Sequence, residues 1–314
     1  MANYIGIETG GTKIQVVFGS GAGEIFQCFR FNVNKENGAG GILSQIEEAI
    51  NKIMSEHQPE AVGMGFGGPI DFRSGRVARS FHVSGWDGFS LSEWLEKKTG
   101  LPAIVDNDAN VAAIGEAMAG AGRGIGRVFY TTLGSGMGGG LVVDGRIYHG
   151  AVPGESEIGL MCYDMSGASM ESRCCGWATD KKIREEIARC PNGILASLVP
   201  SGQIGGETRW LAEAVEKGDV RAMVLLDETA RDIAFAFSHA IHLFSPEILV
   251  IGGGLSLVGE PLRKRIEKFL PEFVNSVFHP CPPIKLTELG EKTVIVGALF
   301  LAAGKGAASR PGRD

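Results

Sequence analysis

The sequence predicts an α/β protein with an internal duplication, and three observations carry that reading. The succession strand, Gly-rich turn, strand, hairpin turn occurs twice, over residues 4–31 and again over 128–145. Between the copies lies Asp106-Asn107-Asp108-Ala109-Asn110, where a short apolar strand gives way to a helix of small residues. Elsewhere, short apolar strands are interspersed with stretches whose apolar residues recur at helical spacing.

Residues 4–8 form a strand, Thr9-Gly10-Gly11-Thr12-Lys13 a tight turn, and 14–18 and 24–31 two further strands that need no crossover helix. Ile42, Ile46, Ala49, Ile50, Ile53 and Met54 share one helical face, so 41–56 is an amphipathic helix. Residues 61–66 form a strand that ends in Gly67-Gly68-Pro69. Residues 102–105 form a buried strand and 109–119 a helix. Asn107 and Asp108 stand at its start, where such side chains cap free N–H groups. The second copy places strands at 128–132 and 141–143 around a Gly-rich turn at 133–140, then the hairpin Asp144-Gly145. Helices are predicted at 176–188, 208–217, 219–243 and 260–274, and a buried strand at 248–251 leads into Gly252-Gly253-Gly254. A last strand–helix unit covers 293–303, and the small polar tail from 304 is expected to be disordered.

The 314 residues suffice for one large domain or two lobes, and 44% hydrophobic with 21% charged residues gives an ordinary globular core. A net charge of -6 speaks against a nucleic-acid partner, which usually leaves a basic footprint. No apolar run is long enough to span a bilayer, and the N-terminus carries neither a basic leader nor an apolar signal core. A cytoplasmic protein with no membrane partner is expected. The six cysteines, at 28, 162, 174, 175, 190 and 281, make no disulfide framework and read as free thiols. The 47 glycines gather at strand ends, which suggests turns that hug a ligand.

Gly134-Ser135-Gly136-Met137-Gly138-Gly139 has the spacing of the dinucleotide fingerprint, but a strand follows it where the fingerprint needs a helix. A Gly-rich hairpin still binds phosphate, because bare N–H groups converge on an anion with no Cβ in the way. Thr12, Lys13, Thr132 and Ser135 add donors of the right type. One such turn alone is as readily a strained hairpin, and a lone Asp108 would be read as a helix cap. Two related turns and a third at 252–254 indicate a nucleotide held by several loops.

Together, Glu8-Thr9-Gly10-Gly11-Thr12-Lys13, Gly65-Phe66-Gly67-Gly68-Pro69, Asn107-Asp108-Ala109-Asn110, Thr132-Leu133-Gly134-Ser135-Gly136 and Ile251-Gly252-Gly253-Gly254-Leu255 resemble the ROK family of sugar kinases and sugar-responsive repressors. The resemblance covers nearly the whole chain in the right order. It implies the actin-like ATPase (ribonuclease H-like) fold, with two lobes around a cleft. The small N-terminal lobe is expected over 1–118 plus 290–314 and the large lobe over 119–289. It also implies ATP-dependent phosphorylation of a hexose at a terminal hydroxyl, nearest to glucokinase and fructokinase, with Asp108 as general base. A carboxylate at a helix N-terminus is kept ionised by the dipole and the free N–H groups. Phosphoryl transfer has a loose transition state, so a weak base that orients the hydroxyl suffices.

By the same resemblance, the small-molecule sugar is contacted by Gly67, Gly68, Asn107, Asp108, Glu157 and Glu171. The two glutamates align with the family's Gly-Glu-x-Gly-His and Leu-Glu-x-x-x-Ser-Gly stretches. ATP falls to Gly10, Gly11, Thr12, Lys13, Thr132, Gly134, Ser135, Gly136, Gly252, Gly253 and Gly254. Glu8 stands where the family usually has Asp, and is assigned to Mg2+ through water. The family implies a homodimer.

Two departures stand out. Leu160 occupies the place of the family's histidine, and residues 162–169 replace its Cys-rich zinc loop, so no structural zinc is expected. Cys162, Cys174 and Cys175 match no common zinc spacing. The histidines form no pattern with cysteines or carboxylates at metal spacing, and His239 and His242 read as packed or capping residues. The four tryptophans read as core, with Trp86 the exception because its surroundings resemble a family stretch near the sugar. A repressor would carry a DNA-binding helix-turn-helix ahead of the domain, whereas here the first strand opens at residue 4 and the net charge is -6. The alternative is a non-catalytic sugar-binding regulatory protein of the same family, which includes repressors. Leu160 motivates a further rival, a catalytically weak, non-regulatory sugar binder or an enzyme for an unusual sugar. An actin-like filament or chaperone ATPase would lack the sugar-site residues.

Overall fold

The structure, a computed structural model, describes residues 2–78 and 83–304. The tail expected to be disordered falls, beyond residue 304, outside the described residues, as does His82. The first half comprises β1 (Asn3–Thr9), β2 (Lys13–Ser20), β3 (Ile25–Asn32), α1 (Gly38–Glu56), β4 (Val62–Phe66), β5 (Ile70–Asp71), β6 (Arg76–Val77), α2 (Leu91–Thr99), β7 (Ala103–Asn107) and α3 (Asp108–Ala119). Then follow β8 (Arg127–Leu133), β9 (Met137–Val143), β10 (Arg146–Ile147), α4 (Glu171–Cys174), α5 (Gly176–Arg189), α6 (Ile194–Leu198), α7 (Leu211–Glu216) and α8 (Val220–Phe244). The chain closes with β11 (Ile248–Gly252), α9 (Glu260–Phe269), β12 (Ile284–Leu286) and α10 (Thr293–Ala302). Two five-stranded sheets result, in the orders β3-β2-β1-β4-β7 and β10-β9-β8-β11-β12. Among the described residues no helix is long and apolar enough to cross a membrane.

Two compact units divide the chain. One holds residues up to 128, 140–155 and those from 288 onward; the other holds 129–139 and 156–287. In the first, β2 pairs antiparallel with β1 and β3, while β1-β4 and β4-β7 are parallel. The strand period of two sorts side chains onto the faces of this sheet. Ile5 and Ile7 of β1, Val16 and Phe18 of β2, and Val62, Met64 and Phe66 of β4 join Ile42, Ile46, Ile50 and Ile53 of α1 in one core. The intervening positions carry small residues toward α10. A Cβ on Gly63 would stand 2.0 Å from Ala298 O, and one on Gly6 would stand 2.9 Å from Ile295 O. The alternation Val-Gly-Met-Gly-Phe in β4 thus lets α10 lie directly on the backbone. Gly115 of α3 and Gly297 of α10 do the same for the helix pair, with Cβ positions 2.5 Å from Thr293 O and 1.8 Å from Val111 O. Buried Glu116 ties this corner together, accepting from the N–H groups of Ala121 (2.8 Å), Leu289 (3.1 Å) and Glu288 (3.3 Å) and from Thr293 Oγ1 (3.3 Å).

In the second unit, α8 buries Leu226, Ala230, Ile233, Ala234 and Phe237 along one stripe. Asp219 caps it by accepting from Arg221 N–H and Ala222 N–H. β11 pairs parallel with β12.

Several boundaries differ from the sequence reading. β9 begins at Met137, so Gly138 to Gly140 are ladder residues and the turn is shorter than 133–140. Residues 208–217 split into a 3-10 turn (Glu207–Trp210) and α7. α9 ends at Phe269, and a 3-10 turn containing Pro271 follows, as a ring without an N–H requires. Residues 293–302 are helix throughout, and the preceding strand is β12. The short α2 was not predicted; its nine residues give too brief a periodic run.

Candidate active site

In the first unit, the β7–α3 junction presents Asn107 and Asp108 side by side. Asn107 keeps extended backbone geometry and caps α3, its Oδ1 accepting from Ala109 N–H (2.9 Å) and Asn110 N–H (3.3 Å). Its Nδ2 donates to Gly68 O at 3.1 Å, so the amide also fastens the Gly67-Gly68 turn to the helix start. Asp108 Oδ1 accepts from Ala109 N–H at 2.9 Å. Gly67 N–H donates to Thr9 O at 2.8 Å. A Cβ on Gly67 would meet Thr9 O at 3.2 Å, Gly10 Cα at 3.3 Å and Asp108 Oδ2 at 3.4 Å. Three stretches singled out in the sequence therefore converge here: Thr9-Gly10, Gly67-Gly68 and Asn107-Asp108. Thr9, Gly10, Gly11, Phe66, Gly67 and Trp86 line one recess. Trp86 is 1% exposed and edge-on to Phe66 and Phe89, so it is a core residue under that recess. Trp177 is the tryptophan that departs from the core reading, at 56% exposed.

The first Gly-rich turn is closed by Gly10 N–H donating to Lys13 O at 3.1 Å, and Val33 N–H donates to Thr12 O at 2.9 Å. Lys13 Nζ pairs with Glu8 Oε1 at 3.3 Å, and Glu8 Oε2 accepts from Gln15 Nε2 at 2.6 Å. Burial raises the Glu8 carboxyl above its ordinary value, and the Lys13 ammonium opposes that shift. Both Glu8 oxygens are engaged and its charge is already matched by a lysine. This donor set does not fit a carboxylate held ready for the water shell of Mg2+.

The second unit gathers the other Gly-rich turns. The turn after β8 is closed by Gly134 N–H to Gly136 O at 2.9 Å, with Thr132 at the end of β8 leading into it. Gly253, with φ of +79°, packs so closely that a Cβ would stand 2.6 Å from the Leu133 backbone. Gly176, at the start of α5, approaches Gly134 O, where a Cβ would stand at 2.7 Å. Ser135 O accepts from Cys175 Sγ at 3.4 Å. Gly252 and Gly254 flank the third turn, which Ser256 closes through its N–H and Oγ on Gly253 O.

Glu171 lies against the same turn, its Oε2 accepting from Met137 N–H at 2.9 Å. A Cβ on Gly136 would fall 2.3 Å from that oxygen. The glutamate assigned to sugar is thus bonded to the turn assigned to nucleotide. Glu157 precedes the 3-10 turn Ile158–Leu160, and Leu160 is 66% exposed.

The segment that stands for the zinc loop is anchored by Tyr163, whose hydroxyl meets Asp232 and whose ring lies under the Arg173 guanidinium. Cys162 and Ser169 bridge its two arms. Tyr163 Oη donates to Asp232 Oδ1 at 3.0 Å, and Arg173 and Lys182 pair with the same buried carboxylate at 3.4 and 3.2 Å. Burial and Asp232 push the Tyr163 phenol up. Burial drives the Cys174 thiol far up and that of Cys175 up as well.

One expectation needs correction. The histidines looked patternless, yet His149 meets Asp106 and Glu155, with one ligand atom from each within 4.8 Å of the others. Intervals of 43 and 6 residues carry no signal; only the fold brings the three together. Among the described residues no other group of three or more histidine, cysteine or carboxylate side chains converges this way.

Residues 4–305 match the ROK family. The chain is 31% identical to a glucokinase of Halalkalibacterium halodurans over 95% of its own length and 94% of that protein. It is 30% identical to a glucokinase of Thermotoga maritima, covering 87% and 90% of the two chains. A ROK family glucokinase from Streptomyces griseus, solved in complex with glucose and AMPPNP, superposes with a TM-score of 0.84 at 28% identity, over 96% of this chain and 100% of that one. The chain belongs to the ROK family and has its actin-like ATPase fold.

Proposed function

We infer that this chain, a sugar kinase of the ROK family, transfers the γ-phosphoryl group of ATP to a terminal hydroxyl of glucose or a closely related hexose. The observation that carries the reading is the convergence of Asp108, the Gly67-Gly68 turn and the Thr9-Gly10 turn within one unit. Asp108 Oδ2 faces the Gly67 backbone, so a hydroxyl seated on that turn lies within reach of the carboxylate. Asp108 accepts the hydroxyl proton as the oxygen attacks phosphorus, and the bond from phosphorus to the bridging oxygen of ADP breaks. Asn107 fixes the helix start and the sugar-side turn in one register, which holds the base in place as the reaction demands. The Gly-rich turns offer backbone N–H groups to the phosphates, and ATP brings the Mg2+ that would neutralise their charge. Glu8 orients Lys13 and Gln15. Glu157 and Glu171 complete the sugar set by resemblance, and a cytoplasmic homodimer belongs to the same proposal.

The test is ADP release with ATP and Mg2+ over glucose, fructose, mannose, N-acetylglucosamine, N-acetylmannosamine and allose, beside Asp108→Ala. Glucose-dependent turnover that falls by at least about 10²-fold in the variant, with the fold retained, is the expected result. Sugar or ATP binding by calorimetry without turnover on any sugar would overturn the kinase reading for this panel. It would make Leu160 the mark of a sugar sensor or of a substrate outside the panel.

A further inference from the structure

We propose that Asp106, His149 and Glu155 form a site for one divalent first-row transition cation, Zn2+ in the ordinary case. The site links the end of β7 to the segment that follows β10, all within the first unit. His149 Nε2 lies 2.6 Å from Asp106 Oδ2, and their side chains are 6% and 3% exposed. The His149 ring is stacked on Phe72, centroids 3.6 Å apart and planes 12° off parallel, so its orientation is fixed. Asn110 stands between the two carboxylates, its Nδ2 donating to Asp106 Oδ1 at 3.1 Å and to Glu155 Oε1 at 2.8 Å.

Two features separate this group from an ordinary hydrogen-bonded cluster. The first is charge: among the described residues no lysine or arginine pairs with Asp106 or Glu155; Asp106 meets His149, the Asn110 amide and Asn107 N–H (2.7 Å), and Glu155 the same amide. His149 Nδ1 is buried without a hydrogen-bond partner. The second is that Asn110 Oδ1 is also buried without a partner, on a residue 2% exposed. A half-turn of that amide brings its carbonyl oxygen to where Nδ2 now meets the two carboxylates, an arrangement a cation would favour.

The dimensions suit such an ion. Ligand atoms about 2.1 Å from a shared metal stand roughly 3.4 Å apart at tetrahedral angles. The present separations run from 2.6 Å to no more than 4.8 Å, so shifts on the order of an ångström close the set. One imidazole with two carboxylates is a donor set for Zn2+, Co2+ or Mn2+, and waters would fill the remaining positions. Asp106 lies two residues before Asp108, so the bound ion would brace the backbone that carries the proposed base.

The experiment uses the full chain stripped with a chelator. Co2+ is titrated with its visible absorption as readout, and Zn2+ is measured by equilibrium dialysis with metal analysis, for the native chain, His149→Gln and Glu155→Gln. One equivalent per chain is expected, its dissociation constant weakening at least tenfold in either variant. Zn2+ should raise the melting temperature of the native chain and not of the variants. Glu155 is only half-buried on its segment, so Glu155→Gln decides the matter if His149→Gln fails to fold. Substoichiometric binding, equal affinity in Glu155→Gln, or an intense thiolate-to-cobalt charge-transfer band would overturn the proposal; the last would place the ion on cysteines.

Discussion

Gly297→Ala tests whether the α3–α10 contact holds the proposed base in place. A Cβ at residue 297 would stand 1.8 Å from Val111 O, whereas non-bonded heavy atoms need about 3.5 Å. No rotamer change relieves the overlap, because both atoms belong to or adjoin backbone, so the helices must part by more than ~1 Å. Overpacking of this severity belongs at the upper end of the usual range, about 3 kcal/mol. Alanine recovers about 1 kcal/mol of helix propensity over glycine. The net is a loss of about 2 kcal/mol from the first unit. Val111 is one helical turn from Asp108, and a misplacement of about 1 Å near a reacting group can cost ~10²-fold in rate. Glucose-dependent ADP release should therefore fall together with the urea midpoint followed by circular dichroism. Gly40→Ala is the control: a Cβ there meets nothing within 4 Å, and the change should be neutral or stabilising by up to about 1 kcal/mol. If Gly297→Ala unfolds at the same urea concentration as Gly40→Ala, the close-packing argument is wrong.

Two further outcomes follow from buried carboxylates. Glu116→Gln puts an NH2 group where backbone donors now point, so it should cost about 1–3 kcal/mol in urea denaturation; an unchanged midpoint would mean those donors find other partners. Glu8 has a folded value raised by burial, so its contribution is fully present below the ordinary glutamate value and is lost as pH rises through the raised one. Gln carries no such titration. The stability of Glu8→Gln relative to the native chain should therefore increase as pH rises from the ordinary glutamate value through the raised one, and a pH-independent difference would refute the assignment.

The sequence carried the strand–turn–strand repeats and the strand–helix junction at Asp108 because these are local: turn chemistry, a cap and short periodicities lie within a few residues. What it did not carry depends on distant partners. The Asp106–His149–Glu155 group needs the segment after β10 to fold back onto α3, and nothing in the 43 residues separating Asp106 from His149 announces it. Glu116 meets Glu288 and Leu289 across more than 170 positions. β9 starts at Met137 because pairing extends the ladder into glycines that local propensity would leave in the turn.

Glycine content was legible as a number but not as two populations, and the difference bears on function. Gly63, Gly115 and Gly297 are explained by protein alone, since a Cβ on each would strike the backbone of a neighbouring helix at 2.0, 2.5 and 1.8 Å. Gly134 and Gly254 are different: a Cβ would meet nothing within 4 Å, and on Gly10 the nearest atom would be Lys13 O at 4.0 Å. None of these three takes a positive φ that would require glycine on backbone grounds. Packing and conformation leave them unaccounted for, yet each sits in one of the three turns that resemblance assigns to the phosphates of ATP. A site for an anion needs such glycines, because a side chain would occupy the space the phosphate fills. The open glycines of these turns therefore support the nucleotide reading, and the close-packed ones explain why glycine is also frequent where no ligand approaches.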